Sequence, residues 1–588
     1  MSEQQPSRRV DLSVVKTGVF QQVAVLVGAW RASAVAKPLL ALVVGLVAVI
    51  ACTAFGQLAL NRWNQPFYDA ISRRDVRDFL WQLGVFAMIA GGLLVLNVGQ
   101  RWLLETLQMK LREGLVGDLV GLWLQPRRAF WLAGSGPMGA HPDQRMHDDA
   151  LKLCNLSAEL GVGLLQATVL FGSFAGVLWV ISKDFSLFIH GQERALPGFM
   201  LWAAILYAGC GSLLSYWVGK TLIGRNAERY GREGELRFLL TRINDHLDGI
   251  SLAGGEADEQ RRVAAKLGEV LHATSRVVLG LTNLTWVTAG FGWVTLIAPT
   301  LVAAPLYFSG KLSFGGLMMA AAAFTQAQSS LRWFIDNFSN IADWRATLLR
   351  VVGLRQVLVS DLEAAQSGGR IAYVPSEPGT LTARSLVVRV WNGREQLDEP
   401  DLVLRAEQRL LILGVAGTEK TLLFRALAGL WPQGSGTVGR PPGEVIHYMP
   451  RGTPYLPRGT LADVVGYALA PAGYSREAMA AALSSVGLQR LEPLLDETRR
   501  WDQELSVDEQ LLLGFARVVL QSPPWLVMDQ ALGAFDHDTL ERLVQVFNGP
   551  LASTGIVHIG PAGEAHDRLF TRVVHLVKAP ERRREGQS

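Results

Sequence analysis

Apolar residues gather in six long runs, at roughly 38–60, 80–100, 159–182, 196–218, 277–300 and 312–333. A bilayer core takes about 20 apolar residues as helix, so each run predicts a membrane-crossing helix. The fifth run is interrupted by glycines and leads into Pro299 and Pro305. The sixth is rich in small residues (Gly315, Gly316, Ala320 to Ala323), as helices packed inside membranes often are. Long polar stretches with helical periodicity separate runs two and three, and runs four and five, and are too long for simple turns. After Arg345 the pattern changes. Residues 361–380 are polar, with Gly and Pro, and read as a linker. From about residue 382 short apolar strands alternate with helices. The pattern predicts a membrane all-α six-helix domain followed by an α/β domain. Its divisions are a polar segment 1–36, a membrane domain 37–355, a linker 356–381, an α/β domain 382–580 and a basic tail 581–588.

Charge orients this arrangement. The two long polar stretches are basic. The first carries Arg101, Lys110, Arg112, Arg127, Arg128, Arg145 and Lys152, and the second Lys220, Arg225, Arg229, Arg232, Arg237, Arg242, Arg261, Arg262 and Lys266. The connections at 183–195 and 301–311 carry few such residues. Positive charge stays on the cytoplasmic side, which puts both termini and the two basic stretches there. A loop at 61–78 with Arg62, Arg73, Arg74 and Arg77 disagrees, although Asp69, Asp75 and Asp78 are mixed in. The basic stretches read either as helices running on past the membrane to carry motion or as solvated connectors. The spans hold almost no charge away from their ends, where Glu105 and Glu159 lie, so a proton relay through a midplane carboxylate has no obvious candidate.

Composition agrees with a membrane half and a soluble half: 49% of the 588 residues are hydrophobic and 18% charged. The net charge of +4 comes from basic residues beside apolar runs, so no nucleic-acid partner is read from it. Cys52, Cys154 and Cys210 are isolated and exclude a disulfide framework or a zinc spacing. The polar N-terminus precedes an apolar run that starts near Leu39 without a small-residue cleavage site after it, which is not the pattern of a cleaved signal peptide.

The candidate chemistry lies in Leu410 to Thr421, LLILGVAGTEKT. A P-loop reads G-x-x-x-x-G-K-[ST], between a strand and a helix. Gly414, Gly417, Lys420 and Thr421 match the expected roles, but Glu419 stands where the glycine before the lysine belongs. In such a loop the helix-start N–H groups and Lys420 hold phosphate, and Thr421 holds magnesium. A second apolar strand from Pro524 to Met528 ends in Asp529, a candidate to hold magnesium through water. Upstream lies Leu505-Ser506-Val507-Asp508-Glu509.

At these residues the chain resembles an ABC half-transporter of exporter type, six spans followed by a P-loop nucleotide-binding domain. Asn61-Arg62-Trp63-Asn64, Phe67-Tyr68-Asp69-Ala70, Pro142-Asp143-Gln144-Arg145, Gly315-Gly316-Leu317-Met318 and Arg425-Ala426-Leu427-Ala428-Gly429-Leu430-Trp431-Pro432 resemble the SbmA/BacA-like and YddA-like transporters, close to the peroxisomal ABCD group. The resemblance implies a homodimer or heterodimer in the inner (plasma) membrane, in contact with lipid, using ATP and Mg to move a solute. Family solutes include antimicrobial peptides, cobalamin-like molecules and acyl-CoA esters. It also implies that ATP sits between the P-loop of one subunit and the LSGGQ-type loop of the other, here with Ser506 retained.

Position by position, the chain departs from that plan at Glu419, at Val507 and Asp508 in the LSGGQ-type loop, at Gln530 for the catalytic glutamate, at Pro561 for the switch histidine, and at Arg451 for the Q-loop glutamine. Arg451 lies beside an apparent one-residue insertion before Pro454-Tyr455-Leu456-Pro457. Asp536 of the D-loop remains. Gln530 cannot take a proton, and loss of a general base typically costs about 10²–10⁴ in rate. Pro561 has no side-chain donor. Glu419 sets a carboxylate at a helix end meant for phosphate, where two unit charges about 4 Å apart repel by roughly 4 kcal/mol at an effective dielectric near 20. Glu419 and Asp508 either mimic phosphate at two helix starts or record simple decay. Four readings follow: a transporter subunit with impaired hydrolysis beside a competent partner, a gradient-driven transporter with a vestigial nucleotide domain, a non-transporting regulator, and an ordinary ATP-driven transporter. Gradient-dependent uptake without ATP would mark the second.

Overall fold

The computed structural model describes residues 18–133, 142–183, 186–189, 192–195, 197–360, 370–390, 393–414, 418–468, 473–533, 535–561 and 569–579. The chain forms two compact units, 1–362 and 363–588.

The first unit is helical. Its principal helices are α1 Val19–Ala32, α2 Ala36–Arg73, α3 Val76–Trp123, α4 Pro142–Ile181, α5 Phe199–Asp245, α6 Glu256–Phe308, α7 Phe314–Asp336 and α8 Phe338–Val359. Among the described residues, the five helices α2 to α6 are long and apolar enough to cross a membrane. The sixth expected span is α7. It is less apolar for a physical reason: it packs against α2, α4, α5 and α6, so small residues serve it better than lipid-facing ones. Gly315, Gly316, Ala320, Ala323 and Ala327 are all buried. On the other helices, Phe55, Trp81, Met88, Trp102, Trp217, Trp286 and Trp293 stand exposed, as a surface facing lipid would have them.

Several expected breaks are helical. The segment expected as a loop at 61–78 is helix up to Arg73. The chain reverses at Arg74, in the left-handed region at φ 59°, and α3 starts on an Asp75 cap that accepts from the Arg77 and Asp78 N–H groups at 3.1 Å. Arg73, Arg74 and Arg77 therefore cluster at a two-residue turn between α2 and α3, with Arg62 inside α2. Pro299 and Pro305 lie inside α6, which runs on to Phe308; neighbouring helices re-satisfy backbone groups freed by such prolines. At 1.5 Å per residue, α5 (47 residues) and α6 (53 residues) reach about 70 and 80 Å, far beyond a hydrocarbon core of about 30 Å. They pack along each other. Their polar ends are joined by Arg232 to Glu269 at 2.9 Å and Lys266 to Glu235 at 2.9 Å. The second basic stretch is therefore mostly helical extension of α5 and α6; in the first, helix runs to Trp123 and resumes by Pro142, with 134–141 outside the described residues. α4 includes a π-helical turn at Arg145–Asp149, and Arg350 of α8 grips Asp149 with two bonds of 2.8 Å. A short hairpin, β1 Ser186–Ile189 with β2 Gln192–Ala195, joins α4 to α5.

The second unit is α/β. Its strands are β3 Ala372–Pro375, β4 Thr380–Val390, β5 Gly393–Leu397, β6 Asp401–Arg405, β7 Arg409–Gly414, β8 Gly434–Arg440, β9 Ile446–Met449, β10 Gly459–Thr460, β11 Thr498–Arg499, β12 Trp525–Asp529, β13 Gly555–Gly560 and β14 Arg572–Lys578. Ten of them form one sheet in the order β3-β8-β4-β5-β14-β7-β13-β12-β9, with β6 on β4; β10 and β11 pair separately. The half holding β7, β13, β12 and β9 is parallel. β12 and β13 are buried along their whole length, the pattern of strands covered on both faces. Between the units, helix continues to Val359 and strand begins at Ala372, so regular structure enters both ends of 356–381.

Candidate nucleotide site

In an open parallel sheet, ligands bind beyond the carboxyl ends of the strands. The residues singled out above occupy that edge. β7 ends at Gly414, β13 at Gly560 just before Pro561, β12 at Asp529 just before Gln530, and β9 two residues before Arg451. Parallel register aligns Asp529 with Ile559 and Met528 with Met449, and the Gln530 N–H donates to the Ile559 carbonyl at 2.8 Å. Gln530 adopts φ +52°, an uncommon conformation for a side-chain-bearing residue.

From β7 the chain enters α9, Lys420–Leu427. Val415 to Gly417 lie outside the described residues, and with them the candidate Gly417. Lys420 folds back across Gly414: an added Cβ would stand 2.5 Å from Lys420 Cε and 2.6 Å from Thr418 Oγ1, so a side chain there would push the lysine from this position. Asp529 is fully buried. Both its oxygens lack a well-formed hydrogen bond among the described residues, although the Thr421 hydroxyl approaches closely enough to favour the charged form. Burial pushes the Asp529 carboxyl above its usual range, opposed by Thr421 and then by Arg451, Arg425 and Lys420.

This donor set fits a magnesium ion. Two buried, unsatisfied carboxylate oxygens and one hydroxyl are hard ligands, and magnesium is usually held by one or two carboxylates plus phosphate and water. No group of three or more His, Cys, Asp or Glu that could hold a metal by itself occurs among the described residues.

The LSGGQ-type loop opens a second helix start. Ser506 caps α10, Val507–Gln521, by accepting from the Glu509 N–H at 3.3 Å, and Glu509 reaches back to the Ser506 N–H at 3.0 Å. Arg490 holds Glu509, whose carboxyl lies below its usual range although burial works against it. Val507 and Asp508 are exposed. No hydrogen bond or ion pair among the described residues joins this loop to Lys420, Thr421 or Asp529. Asp536 caps the helix His537–Asn548 by accepting from the Thr539 N–H at 2.9 Å. Arg517, buried in α10, donates to the Val464 and Tyr455 carbonyls at 2.8 and 2.9 Å, and burial pushes its guanidinium down to about 10.

One residue at this site escaped the sequence reading. The Glu419 side chain makes no capping bond. Its N–H instead donates to both carboxylate oxygens of Glu395, at 2.9 and 3.0 Å. Glu395 is 1% exposed. The available signal was an acid on the inward face of a strand, two positions from buried Leu397.

Helical span-forming unit, parallel-sheet P-loop unit and a carboxylate suited to magnesium together define a membrane transporter fused to its own ATP-binding domain. The model of the ABC transporter transmembrane region 2 matches residues 31–308, and that of the ABC transporter matches 397–533. The chain belongs to the ABC transporters. It is 24% identical to the inner membrane ABC transporter ATP-binding protein YddA of Escherichia coli, across 89% of this chain and 90% of that one. It is 22% identical to the chloroplastic ABC transporter D family member 2 of Arabidopsis thaliana, across 88% and 79%. It is also 22% identical to an uncharacterized ABC transporter ATP-binding protein of Haemophilus influenzae, across 89% and 87%. ABC domains of this kind bind ATP with magnesium, and half-transporters generally dimerise to move a solute.

Proposed function

We propose that this chain is one half of a dimeric transporter of the inner membrane, with the nucleotide unit and both termini in the cytoplasm, and that its own site hydrolyses ATP slowly or not at all. The solute is peptide-like, cobalamin-like or amphipathic, by analogy with the family. The cytoplasmic assignment rests on the basic ends of α3, α5 and α6.

In this reading, Lys420 pairs with phosphate, Asp529 and Thr421 hold the magnesium, and Ser506 faces a partner's nucleotide across the dimer. Bound ATP with magnesium supplies the free energy that draws two nucleotide units together. The observation that carries the impaired hydrolysis is at the strand ends. The residue after Asp529 is Gln530 and the residue after Gly560 is Pro561. Neither can accept a proton from water, and Pro561 has no side-chain donor for phosphate. Arg451 adds a positive charge facing Asp529.

The test is ATP hydrolysis by the purified protein in lipid, with Lys420→Ala as background. The expected result is no turnover above that background. Lysine-dependent turnover at the rate of ordinary family members would overturn the impaired-site reading and leave an ATP-driven transporter.

A further inference from the structure

Glu395 is the part of the nucleotide unit that no motif accounts for. Period-2 alternation on β5 puts it on the same face as Leu397, and both are buried. β5 lies between β4 and β14, and β14 in turn pairs with β7, so Leu397, Leu576 and Gly414 stand in register across three strands. Glu395 is two residues from Leu397 on that face, which brings it to the start of α9. An acid in such an apolar position costs free energy unless it is hydrogen-bonded or neutralised. Burial accordingly pushes the Glu395 carboxyl up, and the Glu419 carboxylate acts in the same direction. The Glu419 N–H, Lys578 and Lys420 oppose them.

Its compensation is the N–H directly ahead of Lys420, held by both carboxylate oxygens. Helix starts with free N–H groups favour anions, and in a P-loop this turn serves phosphate. The same turn is faced by Asp529, fully buried and without a well-formed hydrogen bond on either oxygen among the described residues. A magnesium-phosphate ligand would satisfy Asp529 and would compete with Glu395.

We propose that Glu395 is a resident anion of the phosphate site: its carboxylate occupies the Glu419 N–H and the field of Lys420, and a nucleotide triphosphate binds only by displacing it. The proposal rests on the reading of Lys420 as a nucleotide-site lysine. It gives the phosphate-mimic role to Glu395 rather than to Glu419, whose own side chain is exposed and caps nothing.

The experiment measures ATP dissociation constants, with magnesium, for the full-length protein in lipid nanodiscs. It compares the natural chain, Glu395→Gln and Glu395→Val, each with and without Lys420→Ala. Gln keeps the shape and removes the charge; Val removes the acceptor as well and suits a buried strand. The expected result is about tenfold or more tighter binding in both variants, equivalent to about 1.4 kcal/mol, and loss of that gain with Lys420→Ala. Lysine-dependent binding that neither variant tightens overturns the resident-anion proposal and leaves the nucleotide site standing. Binding indifferent to Lys420→Ala in every background overturns the nucleotide-site reading and the proposal with it. Absence of binding in all six proteins, each folded by its thermal midpoint, also overturns the proposal.

Discussion

The Asp69 carboxylate accepts a hydrogen bond from the Gly315 N–H at 2.8 Å, joining the end of α2 to the start of α7 across 246 positions of sequence. Its second oxygen accepts from the Ser313 hydroxyl at 2.9 Å, and the Ser313 oxygen in turn caps α7 by accepting from the Gly316 N–H at 3.0 Å. Deeper in the interface, Asn61 donates to the Met319 carbonyl at 3.0 Å and Gln326 to Gln57 at 3.1 Å. Two motifs that the sequence offered separately, Phe67-Tyr68-Asp69-Ala70 and Gly315-Gly316-Leu317-Met318, are thus two sides of one clasp.

The clasp makes Gly315 sensitive to any added atom. A Cβ there would stand 2.0 Å from the Gln65 carbonyl oxygen and 2.8 Å from Asp69 Cγ. Gly315→Ala is expected to lower stability by roughly 1–3 kcal/mol, the usual cost of overpacking. A fall in the thermal midpoint of the detergent-solubilised protein checks this. Gly316→Ala, with nothing nearer than 3.4 Å, is expected to do much less. Equal effects at the two glycines would remove the clasp from the explanation.

At the strand ends, restoring a base tests the chemistry directly. Gln530→Glu together with Pro561→His is expected to raise lysine-dependent ATP turnover by about 10²-fold or more, the lower range of a general base's contribution. Gln530→Glu alone should supply most of it. If Glu395 blocks phosphate entry, the gain will appear in full only when Glu395→Gln is added. Turnover measured at several ATP concentrations separates a change in kcat from a change in KM.

His447 should give the nucleotide unit a stability slope on the acid side. It sits on β9 with Nδ1 2.7 Å from the Gln521 amide oxygen. Burial lowers its pKa, which the Gln521 bond partly opposes. The unfolded chain then takes up a proton near about pH 6.5 that the folded chain refuses. Stability is therefore lost as pH falls below the unfolded value of about 6.5 toward the lower folded value. Glu395 and Asp529, with raised pKa values, act in the opposite sense and recover stability as pH falls. The difference between the natural chain and His447→Gln isolates the histidine: the thermal midpoint of the natural chain is expected to fall relative to that of the variant as pH drops through about 6.5. Parallel curves would exclude a His447 contribution.

Much of the plan was legible along the chain. The five long apolar helices, the order of strand, loop and helix around Lys420, and the strand ending in Asp529 all follow from hydropathy, periodicity and local motif. The errors were also local. Residues 301–311, with Pro305, look like a connection, and Arg62 to Asp78 looks like a loop, because single-chain punctuation does not show which neighbours tolerate a proline or where a helix turns back. Glu395 was missed because one acid in a short strand has no meaning until the strand's inward face is known.

The sequence by itself placed most of the helices and strands and the candidate phosphate turn around Lys420, because these depend on interactions within a few residues. Only the tertiary structure decided what meets what. Sheet order brought Glu395 of β5 to the Glu419 N–H, and helix packing brought Asp69 to Gly315. Strand register and helix contact are set by burying whole faces at once, and no local window of sequence contains both partners of such a contact.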